Sequence, residues 1–293
     1  MKKMLVFMMA CLMMTVGCAS IVYVSQESGI GQLMTAPDGS PLNPSPLFVT
    51  ALDDSMPSVS HDGKWVAFKR VAVGFDRIVV RQTGDAAGTT EKDIAQGTRP
   101  RWAPLDDWIL FRNQGKIYRI RPDGTALAQI TSPGANVTDN FGHGYWNSNT
   151  VVFGRGTGTG PGQAVGIFLQ DIATATVTPL LSGYSMPVVS HDGNMMACEI
   201  RIYTGPAQFH YIYIFDIPSM QLLYSILFTY APNFPSITGV SGVAFSADDS
   251  RLFFSAIPQN ETKREIYSVN LNGSDLRRLT TNSWDDFYPE GYK

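Results

Sequence analysis

The feature that most constrains this chain is a recurrence. The stretch Met56-Pro57-Ser58-Val59-Ser60-His61-Asp62-Gly63-Lys64-Trp65-Val66-Ala67-Phe68 reads as a short strand, a tight turn and a second short strand. The residue closing the second strand recurs as Tyr23, Phe68, Phe111, Phe153, Cys198 and Phe254, at spacings of 45, 43, 42, 45 and 56 residues. Repeats of about 40–45 residues built from four strands are those of a propeller blade.

Each anchor is followed by a β-branched and aromatic run, as in Ile117-Tyr118-Arg119-Ile120 or Ile266-Tyr267-Ser268-Val269. Such residues suit a pleated, half-buried surface. A turn follows, Pro37-Asp38-Gly39, Pro122-Asp123-Gly124 or Asn272-Gly273, in which glycine supplies the positive φ of a tight hairpin. A last short strand, such as Arg277-Arg278-Leu279-Thr280, makes four per unit. Pro57, Pro100 and Pro187 each precede their anchors by 11 residues, whereas Pro289 has no anchor after it before Lys293. Tyr23 supplies the missing one. The pattern therefore predicts an all-β fold, a six-bladed β-propeller of four-stranded antiparallel blades. The C-terminal strand joins the three N-terminal ones and closes the ring, which removes two exposed edges.

These units resemble the TolB-type propeller repeat, a WD-repeat-like unit with the pattern Pro-x-Trp-Ser-Pro-Asp-Gly, an apolar strand, Ile-Tyr, Asp-Gly and Leu-Thr. Arg99-Pro100-Arg101-Trp102-Ala103-Pro104 matches its start, and Ile266 through Pro289 matches its remainder. Ser60-His61-Asp62-Gly63 and Ser190-His191-Asp192-Gly193 place His where the family has Pro. The resemblance covers nearly all of 21–293. It implies a protein-binding platform, with an envelope protein or peptide as partner. TolB itself carries an N-terminal α/β domain with no counterpart in this pattern. Propellers serve many roles, so the fold alone does not name one.

Met1–Gly17 reads as a targeting segment: Lys2 and Lys3 form a charged start, and Met4–Met14 is an apolar run too short to span a bilayer. Thr15-Val16-Gly17-Cys18 resembles a bacterial lipobox, with Thr15 in place of the usual Leu. The resemblance implies a lipoprotein-type signal peptide over 1–17, lipidation at Cys18 and a single propeller domain over 18–293. It also implies membrane attachment, on the periplasm-facing side of the outer membrane. An ordinary signal peptide cut near Ser20 is the other reading. Cys198, at a strand anchor, is expected to be a small buried side chain.

The formal net charge is −3, so no basic field attracts nucleic acid. Gly239-Val240-Ser241-Gly242-Val243 lacks the final glycine of a nucleophile elbow. Gly154–Gly162 is not followed by the lysine and hydroxyl residue of a phosphate loop, and reads as a hairpin tip. No catalytic, cofactor-binding or metal-binding residues are assigned. His61 and His191 occupy homologous turns in different blades and are expected to point away from each other. His143 is expected beside the channel mouth.

Three positions before each marker proline, or its register equivalent, stand Asp54, Gly97, Asp139, Tyr184, Val240 and Asp286. The three aspartates read either as turns capping strand entries or as a carboxylate rim at one channel mouth. The segment from 184 to 239 is irregular. Its Thr229–Gly239 loop lies near Tyr203, Phe209, His210, Tyr230 and Phe234, and reads as a lid on its own blade or as a partner loop. Variable loops on a rigid scaffold carry function. The expected partner surface is therefore the strand-entry face with Asp54, Arg99, Arg101, Asp139, His143, Tyr184 and Asp286. The expected function is a membrane-tethered, non-enzymatic binding module of the bacterial envelope. The alternative is a carbohydrate-active or metal-dependent propeller enzyme, such as a polysaccharide lyase.

Overall fold

The second strands of the repeats run Val66-Ala67-Phe68, Ile109-Leu110-Phe111 and Val151-Val152-Phe153 without a polar break, and every one of these side chains is buried. A strand apolar on both faces must be covered on both faces, which a ring of packed sheets provides. The computed structural model describes residues 19–39, 42–140, 142–157, 164–204, 207–229 and 237–292. These form six four-stranded antiparallel sheets. Among the described residues there is no helix.

In five sheets the strands follow chain order. The inner strands of the second to sixth blades are Asp54–Val59, Thr98–Trp102, His143–Asn147, Ser185–Val189 and Thr238–Phe245. The first blade takes its inner strand, Asp286–Tyr292, from the C-terminus, and Ser20–Ser25 pairs with it from the N-terminal side. Ser20 stands opposite Tyr292, and Ile21 opposite Gly291. Each inner strand contacts those of the blades before and after it, so the ring is complete.

All six anchors, Tyr23, Phe68, Phe111, Phe153, Cys198 and Phe254, are buried. They sit in six apolar clusters, each filling the wedge between neighbouring sheets, for example Phe245, Phe254, Tyr267, Phe228 and Ile212 between the fifth and sixth blades. Cys198 is a free buried thiol, and burial pushes its pKa up.

The Ser-x-Asp motif after the inner strand has a local cause. Ser60 Oγ donates to Asp62 and accepts from the Trp65 amide, while Asp62 accepts from the Lys64 amide. Ser190 with Asp192 and Ser246 with Asp248 repeat these bonds. Each turn thus satisfies part of its own backbone locally, its remaining amides reaching the next blade.

The irregular fifth blade owes its size to length. Its strands Met195–Thr204 and Ala207–Asp216 have 10 residues each, and its outer strand Leu222–Thr229 has 8. That outer strand exposes Leu222, Leu223, Tyr224 and Leu227. Residues 1–18 with Cys18, and the Thr229–Gly239 loop from 230 to 236 with Tyr230 and Phe234, lie outside the described residues, as does the side chain of Tyr203.

Candidate functional site

The six inner strands share one backbone device. Met56, Arg99, Gly142, Met186, Gly242 and Tyr288, at equivalent positions, all have positive φ, between 53° and 85°. The ladder with the second strand slips here, for example between Ser55 and Ser58, Thr98 and Arg101, and Ser185 and Val188. Met56, Arg99, Met186 and Tyr288 precede a proline, which adds its own restriction on the residue before it. Each non-glycine residue held this way costs about 1–3 kcal/mol, offset by the surrounding blades. Gly142 leaves no choice of side chain: a Cβ there would stand 2.7 Å from Met186 Cα.

These bulges form a ring around the axis and divide the channel. At the ring lies a cavity of about 40 Å³, lined from all six inner strands, including Met56, Arg99, His143, Pro187, Val243 and Tyr288. Further along the same strands lies a chamber of about 430 Å³. Its wall carries Trp102, Tyr145, Trp146 and Val189, its rim His61, Leu105 and His191, and its charges Arg101, Glu290 and Asp192. Arg101, His143 and Val188 belong to both spaces. The chamber opens on the face of the Ser-x-Asp turns, not on the strand-entry face that the loop argument selects.

The charges at the ring are unevenly answered. Arg101 Nη1 donates to Glu290 Oε2 at 3.0 Å. Glu199, buried on the far side, lies 3.0 Å from Arg201 and 3.1 Å from His210. Burial would raise its pKa, but these neighbours hold it below the usual carboxylate value. Arg112 donates to the Asn140 carbonyl at 3.0 Å. Burial, then the charge of Arg99, push Arg112 down to about 10. Arg99 Nε has no partner among the described residues. His143 is 4% exposed and donates to the Arg99 carbonyl, leaving Nε2 without a partner among the described residues. Burial, and then Arg101, Arg112 and Arg99, hold its pKa well below the ordinary histidine value.

The residues named from sequence separate into two groups. Arg99, Arg101 and His143 converge on the channel, with His143 midway along it rather than beside its mouth. Asp54, Asp139 and Asp286 are buried inside their blades, none more than 2% exposed. Asp54 takes Arg70 Nε at 2.7 Å and Nη2 at 2.9 Å, and Asp139 takes Arg155 at 2.7 and 3.1 Å. Asp286 accepts from Asn282 Nδ2 at 2.7 Å. Tyr184 packs edge-on against Tyr213 and Phe215.

The expectation that His61 and His191 point apart is corrected. Their rings meet edge to face, with centroids 6.2 Å apart. Each turn is held by the aspartate of the next blade: Asp106 accepts from the His61 amide and Asp249 from the His191 amide. That tilt carries both imidazoles inward over the chamber. Sequence reasoning also missed Trp102, Trp146 and Leu105. The signal available was the stretch Arg101-Trp102-Ala103-Pro104-Leu105, whose apolar residues flank the turn rather than precede it.

No protein-family model matches the sequence, and no curated protein is recognisably related to it in sequence. Solved structures do match. The TolB structure from Acinetobacter baumannii superposes with a TM-score of 0.71 at 16% identity, covering 93% of this chain and 66% of that one. This chain thus spans about two thirds of that protein's length. A putative TolB from Agrobacterium tumefaciens gives a TM-score of 0.61 at 13% identity, over 94% of this chain and 98% of the other. An oligogalacturonate lyase from Vibrio parahaemolyticus gives 0.53 at 13% identity, over 89% and 74%. At these identities the likeness is one of fold, and the fold is a six-bladed TolB-like β-propeller.

Proposed function

We propose that this chain is a non-enzymatic binding module of the bacterial envelope, tethered through lipidated Cys18, that holds an envelope protein or peptide at the turn-face chamber. The observation that carries the reading is the chamber itself. It is about 430 Å³, open at one end, walled by Trp102, Tyr145 and Trp146, with Arg101 and His143 deeper in. Aromatic walls with a few placed polar groups are the usual composition of a binding pocket. Ser20 pairs with Tyr292, the last residue of its inner strand, so the described chain starts on this same face. An anchor two residues earlier would hold the chamber toward the membrane.

Photo-crosslinking tests the face. A photoreactive residue at position 105, on the chamber rim, is expected to trap the partner in cells; one at the exposed Val73, on the strand-entry face, is not. Trapping from position 73 alone would reverse the choice. For the tether, Cys18→Ser is expected to abolish lipid labelling and leave unprocessed or mislocalised protein.

The rim pairs His61–Asp106 and His191–Asp249 favour a second reading, a carbohydrate-active or metal-dependent enzyme. Both nitrogens of His191 are already engaged, by Asp249 and the Gly291 carbonyl, which leaves it no lone pair for a metal. Incubation of the purified protein with polyuronates and divalent metals, followed by the absorbance of unsaturated products, separates the two readings.

A further inference from the structure

We propose that the ring at the middle of the channel is a binding site for one small monovalent anion, held by the partly buried guanidinium of Arg99 with Arg101 and His143 beside it. The argument starts from charge. Arg101 is answered by Glu290, and Glu199 is answered by Arg201 and His210. Arg99 and Arg112 have no carboxylate within hydrogen-bond distance among the described residues: Arg112 donates to the Asn140 carbonyl, and Glu199 acts on Arg99 only through its charge across the cavity. The charge of Arg99 lowers the pKa of Arg112, and both press on His143. A largely covered charge with no counter-charge in contact destabilises the fold. An anion in the cavity against Arg99 lowers that penalty.

Geometry limits the ligand. The cavity of about 40 Å³ is lined by Arg99, Arg101, His143, Glu199 and Tyr288. By the same measure one water needs about 10–15 Å³, so the space holds a few water-sized groups. A halide or the head of a formate fits such a space; a sugar acid or a nucleotide does not. Two buried polar atoms of residues lining it, Arg99 Nε and His143 Nε2, have no partner among the described residues. Neutral His143 already donates to the Arg99 carbonyl, so its Nε2 is an acceptor. It becomes a donor to the anion only by taking up a proton, which the anion's charge favours. The groups facing it are Arg99, Arg101 and Arg112 on one side, Glu199 and Tyr288 across the cavity, and Glu290 beyond Arg101. Anion uptake is therefore coupled to proton uptake and tightens as pH falls.

The test is the melting temperature of the purified full chain in sodium chloride, sodium formate or sodium gluconate at equal ionic strength. Chloride and formate are expected to raise it saturably, by about 4–5 °C at a hundred times the dissociation constant. Gluconate, too large for the ring, is expected to do nothing comparable. Arg99→Gln is expected to abolish the chloride response, while Arg277→Gln, an exposed arginine of the sixth blade, keeps it. Should Arg99→Gln fail to fold, Arg101→Gln, at the same cavity, carries the same comparison. Identical melting in the three salts, or a chloride response that survives both ring substitutions, overturns the proposal. The response should also grow from pH 8 to pH 6 in the wild type and stay flat in His143→Asn. An equal pH dependence in that variant removes His143 from the site.

Discussion

The imidazole of His191 lies 2.9 Å from Asp249 Oδ1 and 3.0 Å from the Gly291 carbonyl, and its ring meets that of His61 across the chamber mouth. One imidazole thus links three blades: its own fifth, the sixth through Asp249 and the first through Gly291. Burial alone would lower its pKa, but the hydrogen bond and charge of Asp249 raise it above the usual value. A raised folded-state pKa contributes stability that is full below the unfolded value of about 6.5 and is lost as pH rises through the folded value. His191→Gln is therefore expected to cost more at pH 5.5 than at pH 9, by about 1 kcal/mol. Denaturant midpoints at the two pH values check it; an equal loss at both would exclude the ionic contribution.

Asp139 is 0% exposed and is the carboxylate that holds Arg155, whose guanidinium also stacks near Phe153 and Phe168. Asp139→Ala is expected to lose about 3 kcal/mol, because it strands a half-covered arginine rather than because it touches a partner. Melting should fall sharply while crosslinking from position 105 persists in the folded fraction. Normal melting with lost crosslinking would return this residue to a binding surface.

Asp286 behaves in the opposite sense. Burial, with the nearby charge of Glu265, raises its pKa to about 6 in spite of hydrogen bonds from Ser25, Asn282 and Thr280, and among the described residues no cation pairs with it. A carboxyl with a raised folded pKa weakens the fold once pH passes its unfolded value near 3.8, and fully above about 6. Asp286→Asn is expected to stabilise the protein by about 2 kcal/mol at pH 8 and to leave it unchanged at pH 4. A melting curve that drops at pH 8 would show that the ionised form is needed.

Gly142 faces Met186 Cα so closely, with φ at +85°, that a methyl group forces the backbone of two blades apart. Gly142→Ala is expected to cost about 2–4 kcal/mol. Gly39→Ala, where nothing lies within 4 Å of the added carbon, should be near neutral. Equal melting of the two variants would show that the ring of bulges yields easily.

Glu290 joins three blades at the seam, accepting from the Val59 amide at 2.9 Å and from Arg101 at 3.0 Å. Truncation after Phe287 removes it and reopens the first blade, exposing the edge of Ser20–Ser25. Neighbouring blades support one another, so the whole ring should melt earlier, by about 10 °C or more. Unchanged melting would mean that the seam contributes little.

The blade count, the closure and the buried anchors were legible in the residues themselves. Tyr23 and Phe254 mark blades because each unit must present an apolar strand to two neighbours, and that demand repeats with the unit. The Ser-x-Asp turns were equally legible, since the side chains of Ser60 and Asp62 bond within five positions. The candidate site was half legible. Arg99, Arg101 and His143 were named, but beside Asp54 and Asp139, whose arginine partners stand 16 residues away on the second strand.

Sequence by itself determined the repeat, the strand order and the ring, because these follow from contacts local to a unit or to its next copy. Tertiary structure alone decided which side chains meet on the axis. His61 and His191 come from the second and fifth blades, on opposite sides of the ring, and no periodicity records their distance. The same holds for the unanswered charge at Arg99 and Arg112: a charge counts as unpaired only when every blade around it has been placed, since any of six strands could have supplied the carboxylate.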